Sequence, residues 1–239
     1  MAPASTPPRD GPRETHRELL SAALDLFGRH GYDGVTTRML AEAAATNVSS
    51  IKYHFGGKDE LYVATLDEII AVMRPRALMV REIAAHARDL AAADPVRQAR
   101  LVRQVVDALV AVFLTQPEVR RFVPVVLREL LVPGRHFERI YEAVPRVLHE
   151  TLTELVAWIT ASDAAAPAVI VRTHALIGSL LVFVIGRPIL VRRLQVDDPD
   201  DDYDDALIDT IRAELTALML RALDLPLAPR DEPVGSGAG

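Results

Sequence analysis

The chain has 239 residues, half of them hydrophobic and a quarter charged, which is ample apolar surface for a buried core and excludes a wholly disordered chain. Lys plus Arg number 27 against 33 Asp plus Glu, a net charge of −6, which excludes an indiscriminate nucleic-acid coat held by bulk charge. Cysteine is absent, so disulfides, thiol nucleophiles and Cys–zinc sites are excluded, and a reducing, cytoplasmic setting is expected.

Residues 1–12 are rich in Pro, Ser and Thr without an apolar segment, and read as a flexible lead. Leu19, Leu20, Ala23, Leu26 and Phe27 then recur at three- and four-residue steps, predicting a first helix from Arg13 to His30 that Gly31 ends. Thr36 or Thr37 caps a short second helix through Glu42 or Ala44, with Leu40 and Ala41 facing inward. Asn47 caps a third through Phe55, stopped by Gly56-Gly57. Asp59 opens a fourth that Pro75 breaks or kinks. Longer apolar helices follow over Arg76–Ala93, Pro95–Thr115, Pro117–Val132, His136–Ala161, Pro167–Leu194 and Tyr203–Leu223, and the tail 226–239 reads as disordered.

The expected plan is all-α: a three-helix N-terminal domain over 13–60 and a larger helical domain over 61–225. The most apolar window, Ala175–Gly186, has twelve residues without a charge. A bilayer crossing takes about 20, so this window reads as a buried core helix and no membrane association is expected.

The second and third helices share a small core from Leu40, Ala41, Ala44, Val48, Ile51 and Phe55. Ser49, Ser50, Lys52, Tyr53 and His54 remain on the other face of the third helix. Short hydroxyls near its start suit base edges in a major groove, while Tyr53, His54 and Lys58 further along suit phosphates. Thr36-Thr37 sets a helix start, with its free N–H groups, where a phosphate can sit. The only two lysines of the chain, Lys52 and Lys58, fall within and just beyond this third helix. Residues 1–60 balance seven cations, these two lysines included, against eight acids, so placement rather than total charge points to DNA.

Ala22-Ala23-Leu24-Asp25-Leu26-Phe27, His30-Gly31-Tyr32, Thr36-Thr37-Arg38, Leu40-Ala41-Glu42 and Tyr53 through Leu61 resemble, in wording and spacing, the TetR family of bacterial transcriptional regulators. The resemblance covers residues 13–62. It implies a recognition helix and assigns double-stranded DNA contacts to Thr36, Thr37, Arg38, Asn47, Val48, Ser49, Ser50, Lys52, Tyr53, His54 and Lys58. One departure is Ala45-Thr46 in the turn where the family commonly has Gly-Val, so that either the turn takes a slightly different shape or Ala45 accepts backbone strain.

Further on, Arg128-Glu129-Leu130-Leu131, Phe137-Glu138-Arg139-Ile140, His174 through Gly178 and Gly186-Arg187-Pro188 resemble the CecR-like (YbiH-like) C-terminal domain of one TetR subfamily. That resemblance implies an effector-binding and dimerisation domain, with a homodimer formed through the last two helices. Small residues at Ala175, Gly178 and Ser179 suit such close packing; the alternative is an intramolecular core. Candidate contacts for a small apolar effector are Met79, Phe113, Phe122, Arg128, His136, Trp158, His174 and Phe183.

The acidic run Asp197–Asp205 lacks the alternating ligands, central Gly and terminal Glu of a calcium loop. It reads as a solvated loop favouring the start of the last helix, and no metal is expected. No Gly-x-Ser-x-Gly, phosphate loop, dinucleotide fingerprint or His-Glu-x-x-His occurs, so neither catalytic residues nor a cofactor are expected. The leading expectation is a homodimeric repressor that binds a palindromic operator and is released by its effector. The alternative is a helical enzyme or lipid carrier with an incidental helix-turn-helix.

Overall fold

The computed structural model describes residues 11–91, 94–195 and 203–227. Those residues form α1 (Pro12–Gly34), α2 (Thr37–Ala43), α3 (Val48–Phe55), α4 (Lys58–Ala91), α5 (Pro95–Leu114), α6 (Pro117–Leu131), α7 (Phe137–Ala143), α8 (Pro145–Ile159), α9 (Pro167–Ile185), α10 (Arg187–Arg193) and α11 (Asp205–Ala222), with no strand among them. The fold is all-α. The acidic residues 197–202, the lead 1–10 and the tail from 228 lie outside the described residues.

Several boundaries differ from the sequence expectation. Gly31 does break α1, at φ 72° and ψ 172°, but a further turn follows to Gly34. Pro75 does not end the fourth helix, which runs on to Ala91. The helix expected over His136–Ala161 divides at Val144-Pro145, and the one over Pro167–Leu194 divides at Gly186. Apolar periodicity continues through both breaks, so it could not reveal them; the local backbone decides them.

The helices form two compact units. The first comprises the chain to Val72 together with Arg121–Ile140. Its core is built on Leu19, Ala23 and Phe27 of α1, Leu40 of α2, Ile51 of α3, Leu61 and Leu66 of α4, and Phe122 and Val125 of α6. Each fully buried side chain of this size is worth roughly 1.5–3 kcal/mol. Val48, expected in this core, is instead 48% exposed.

The second unit comprises Met73–Arg120 and the chain from Tyr141. Its core packs Leu101, Val105, Leu109 and Val110 of α5 with Leu155 of α8, Val169 and Leu180 of α9, and Ile211, Leu215 and Leu220 of α11. The structure corrects one expectation here. α9 buries only Val169, Thr173 and Leu180, and leaves Val171, Val182 and Ile185 more than half exposed. It is also the one helix among the described residues long and apolar enough to cross a membrane by length and composition.

Candidate nucleic-acid interface

The turn between α2 and α3 is held by side-chain caps. Thr36 Oγ1 accepts from the Met39 amide at 3.2 Å and starts α2. Ala45 then takes φ 48°, a left-handed conformation that costs an L-residue roughly 1–2 kcal/mol. Asn47 Oδ1 caps α3 by accepting from the Ser50 amide at 3.0 Å, and from the Ser49 and Ser50 hydroxyls. Ser50 Oγ also accepts from Thr46 Oγ1 at 2.9 Å, so this hydroxyl is committed to the turn. Gly56, at φ 96°, closes the helix in the left-handed conformation that glycine tolerates best.

With Ile51 buried, α3 presents Val48, Ser49, Lys52 and Tyr53 outward, Tyr53 at 79% exposure. Thr36 and Arg38 are exposed at the start of α2, and Thr37 is half-buried. His54 is half-buried, its ring 4.9 Å from Tyr53 and 6.2 Å from His16. His16 stacks on Phe55 at 4.4 Å, so α1 props the end of α3. Sequence reasoning missed His16 because its partners lie about forty positions away. Lys58 opens α4 with its ammonium 4.1 Å over the Tyr32 ring. Arg135 approaches the same ring and pairs with Asp59 at 3.0 Å.

The segment 121–140 is fixed to this unit by polar contacts. The Arg121 guanidinium donates to Asp25 and Ser21 of α1. Arg128 donates to the carbonyls of Gly28 and Arg29 at 3.0 and 2.6 Å, satisfying groups that the break at Gly31 leaves open. Tyr62 donates to Glu129 at 2.5 Å, and burial, reinforced by that carboxylate, pushes the phenol above its ordinary range. His136 packs on the Tyr62 ring at 5.3 Å.

The proposed DNA-contact residues therefore gather around α2, α3 and the start of α4. The eight effector candidates do not form one group. Phe122, Arg128 and His136 belong to the first unit, and Met79, Phe113, Trp158, His174 and Phe183 to the second. Phe113, Trp158 and Phe183 pack against the second core, whereas Met79 is 42% exposed. His174 is exposed, with its ring 5.6 Å from that of His149. Burial, then the neighbouring His174, hold His149 below the usual histidine range. Among the described residues no group of three or more His, Asp or Glu is placed to hold a metal.

A capped helix-turn-helix at the head of an all-α chain is an architecture of DNA-binding proteins. Residues 19–65 match the model of the "Bacterial regulatory proteins, tetR family", and residues 98–223 match the "HTH-type transcriptional dual regulator CecR, C-terminal domain". The chain is 30% identical over 210 residues to the HTH-type transcriptional dual regulator CecR of Shigella flexneri, covering 86% of this chain and 92% of that protein. Over 64 residues it is 39% identical to the HTH-type transcriptional repressor AcnR of Corynebacterium glutamicum, 27% of this chain and 34% of that one. The hemolysin II transcriptional regulator HlyIIR shares the fold at TM-score 0.53 and 19% identity, over 86% of this chain and 99% of that chain. A TetR-family regulator from Streptomyces coelicolor does so at 0.51 and 21%, over 90% of each. The chain belongs to the TetR family of transcriptional regulators, in its CecR-type branch. The matched families and relatives are regulators of transcription, not enzymes.

Proposed function

We propose that this protein is a homodimeric, effector-responsive regulator that acts in the cytoplasm on a palindromic operator, by repression in the absence of effector. The observation that carries the reading is the capped α3 with its outward row of Ser49, Lys52 and Tyr53 beside Thr36, Thr37 and Arg38. In this reading Ser49 and Val48 face base edges, and Thr36, Thr37, Arg38, Lys52, Tyr53, His54 and Lys58 hold phosphates. Asn47 and Ser50 shape the turn that aims them. Two such heads, roughly 34 Å apart, read an inverted repeat.

The dimer face runs along α9 and α11. Val171, Ala175, Gly178, Val182 and Ile185 follow at alternating four- and three-residue steps, one line of outward apolar and small side chains. Ala206, Thr210, Ala213 and Ala217 form a similar small-residue line on α11. A small apolar effector, touching Met79, Phe113, Trp158, His174 and Phe183 of the second unit, releases DNA to the extent that it prefers the form with wrongly spaced heads. α4, which passes from the first unit into the second, is the lever.

Titrating the protein against its own upstream DNA at several salt concentrations tests the reading. Lys52→Ala is expected to weaken binding to all sequences alike and lower the salt slope by about one. Ser49→Ala is expected to change base preference. Binding that neither distinguishes the upstream DNA from random DNA nor weakens with salt would overturn the proposal.

A further inference from the structure

The first turn of α4 reads Lys58-Asp59-Glu60, one cation followed by two carboxylates. Two acids there favour the helix start, yet beside Lys58 they repel a phosphate. Glu60 turns its carboxylate back towards Gly56 and Gly57, at the end of α3. A phosphate held by Lys58 alone would therefore sit at a corner of net negative charge.

A second cation reaches this corner from far along the chain. α6 and α7 are joined by a turn in which the Phe137 amide donates to the Gly134 carbonyl at 3.2 Å. Arg135 sits inside that turn, and the neighbouring His136 packs on the Tyr62 ring at 5.3 Å, which fixes the turn against α4. The Arg135 guanidinium lies 5.1 Å from the centre of the Tyr32 ring, the ring that Lys58 covers at 4.1 Å, and its Nη2 pairs with Asp59 at 3.0 Å. Tyr32, Lys58, Asp59 and Arg135 thus form one cluster, all within the first unit. The other arginines of this segment are engaged by α1 and α4: Arg121 by Ser21 and Asp25, Arg128 by the Gly28 and Arg29 carbonyls, Arg139 by Asp67. Arg135 differs. Its side chain is 57% exposed and that of Asp59 51%. Among the described residues its polar and ring contacts are those to Asp59 and Tyr32. A guanidinium carries five N–H donors in a planar fork that matches phosphate, and here Nε and Nη1 remain to donate. An exposed ion pair of this kind adds little to stability, so the fold gives little reason for the arginine.

We propose that Arg135 is a further DNA contact, holding a backbone phosphate beside Lys58, so that the DNA interface takes in the α6–α7 turn as well as α2, α3 and the start of α4. Asp59 and Tyr32 hold the guanidinium in place. The contact is to phosphate and not to a base, because Arg135 shares its corner with Lys58, beyond the end of α3 opposite to Ser49. It therefore adds affinity for every sequence and carries no base preference. The inference rests on the reading that this protein binds DNA through α3, and extends that interface to a residue outside the helix-turn-helix.

The test titrates the full chain against two duplexes of one length, its own upstream DNA and a random sequence, over a series of salt concentrations. The variants are Arg135→Gln, Arg135→Lys, Asp59→Asn, Asp59→Asn/Arg135→Gln and, as a control for lost charge alone, Arg193→Gln on the exposed side of α10. The Arg135 side chain is exposed, so its variants are expected to melt close to the wild type. Arg135→Gln is expected to weaken binding to both duplexes by the same factor, several-fold at low salt, and to lower the salt slope by about one. Lysine at 135 is expected to restore the slope, and Arg193→Gln to leave it unchanged. The same loss is expected when Arg135→Gln is added to Asp59→Asn. A loss confined to the chain that keeps Asp59 overturns the contact, because Arg135 then acts by neutralising that carboxylate. An unchanged slope in Arg135→Gln, no recovery with lysine, or an equal loss in Arg193→Gln overturns it as well. Lys52→Ala in the same series keeps the two readings apart. If it lowers the slope and Arg135→Gln does not, the inference fails and the DNA-binding reading stands. If the wild type binds random and upstream DNA equally and Arg135→Gln still lowers the slope, the operator reading fails and the contact stands.

Discussion

Ala45 occupies a left-handed conformation between two capped helices, and its cost is offset locally by the bonds that Thr46 and Asn47 make to Ser50. Polar side chains spent on backbone order recur at Arg128, whose guanidinium closes the end of α1 beside the break at Gly31. A side chain at Gly31 would meet that guanidinium at 3.2 Å in a conformation L-residues rarely adopt. In the second unit, His149 gives a pH signature. Its folded-state pKa lies below the ordinary value near 6.5, so at neutral pH it is uncharged folded or unfolded and contributes no pH dependence. As pH falls through 6.5 the unfolded chain takes up the proton first, and stability declines. Melting temperatures are expected to drop between pH 7.5 and 5.5, with a shallower drop for His149→Gln. Superimposable profiles would show that this histidine is not the cause.

Three of the elements carry prolines at consequential places. The chain passes between the two units at Val72–Met73, Arg120–Arg121 and Ile140–Tyr141, and Pro75, Pro124 and Pro145 each follow shortly after. A proline offers no N–H to the carbonyl four residues back, here those of Ala71, Arg120 and Tyr141. Each crossing therefore coincides with a gap in helical hydrogen bonding. Pro75 is exposed within α4, so replacing it sacrifices no buried contact. Pro75→Ala is expected to stabilise the protein by about 2 kcal/mol, the helix gain less the entropy that alanine returns to the unfolded chain. That raises the melting temperature by several degrees. A melting temperature at or below the wild-type value would show that the α4 backbone has adapted to the proline.

At the scale of the whole molecule, the apolar line on α9 asks for a partner surface. Gly178 lies at its centre, and a Cβ built there meets nothing within 4 Å. Gly178→Arg is therefore compatible with the single chain, and arginine is the better helix former. In a dimer closed through α9 the same side chain buries a charge against its symmetry mate. Light scattering after size exclusion is expected to show a folded monomer with sharply reduced operator affinity. A Gly178→Arg protein that stays dimeric would move the interface elsewhere.

How much of this was legible beforehand follows the range of the forces involved. Thr36, Asn47 and Gly56 act within four residues of themselves, so the helix-turn-helix and its caps could be read from the one-dimensional pattern, and its outward face could be read except at Val48 and Ser50. Strain at Ala45 was one of two readings that the turn left open, and the left-handed φ decides for it. Arg128 and His136 fit an effector site by polarity alone, and it took the tertiary structure to place Arg128 on the end of α1 and His136 on Tyr62. His16 against Phe55 and Arg135 beside Tyr32 and Asp59 were equally hidden. α9 shows the same divide from the other side: its composition announces burial, but which neighbour covers each face depends on residues distant in the chain. The sequence by itself determined the all-α class, the caps of the helix-turn-helix and the family. Only the tertiary structure decided where the long helices divide and which polar groups hold the fold together, because those outcomes depend on partners distant in the chain.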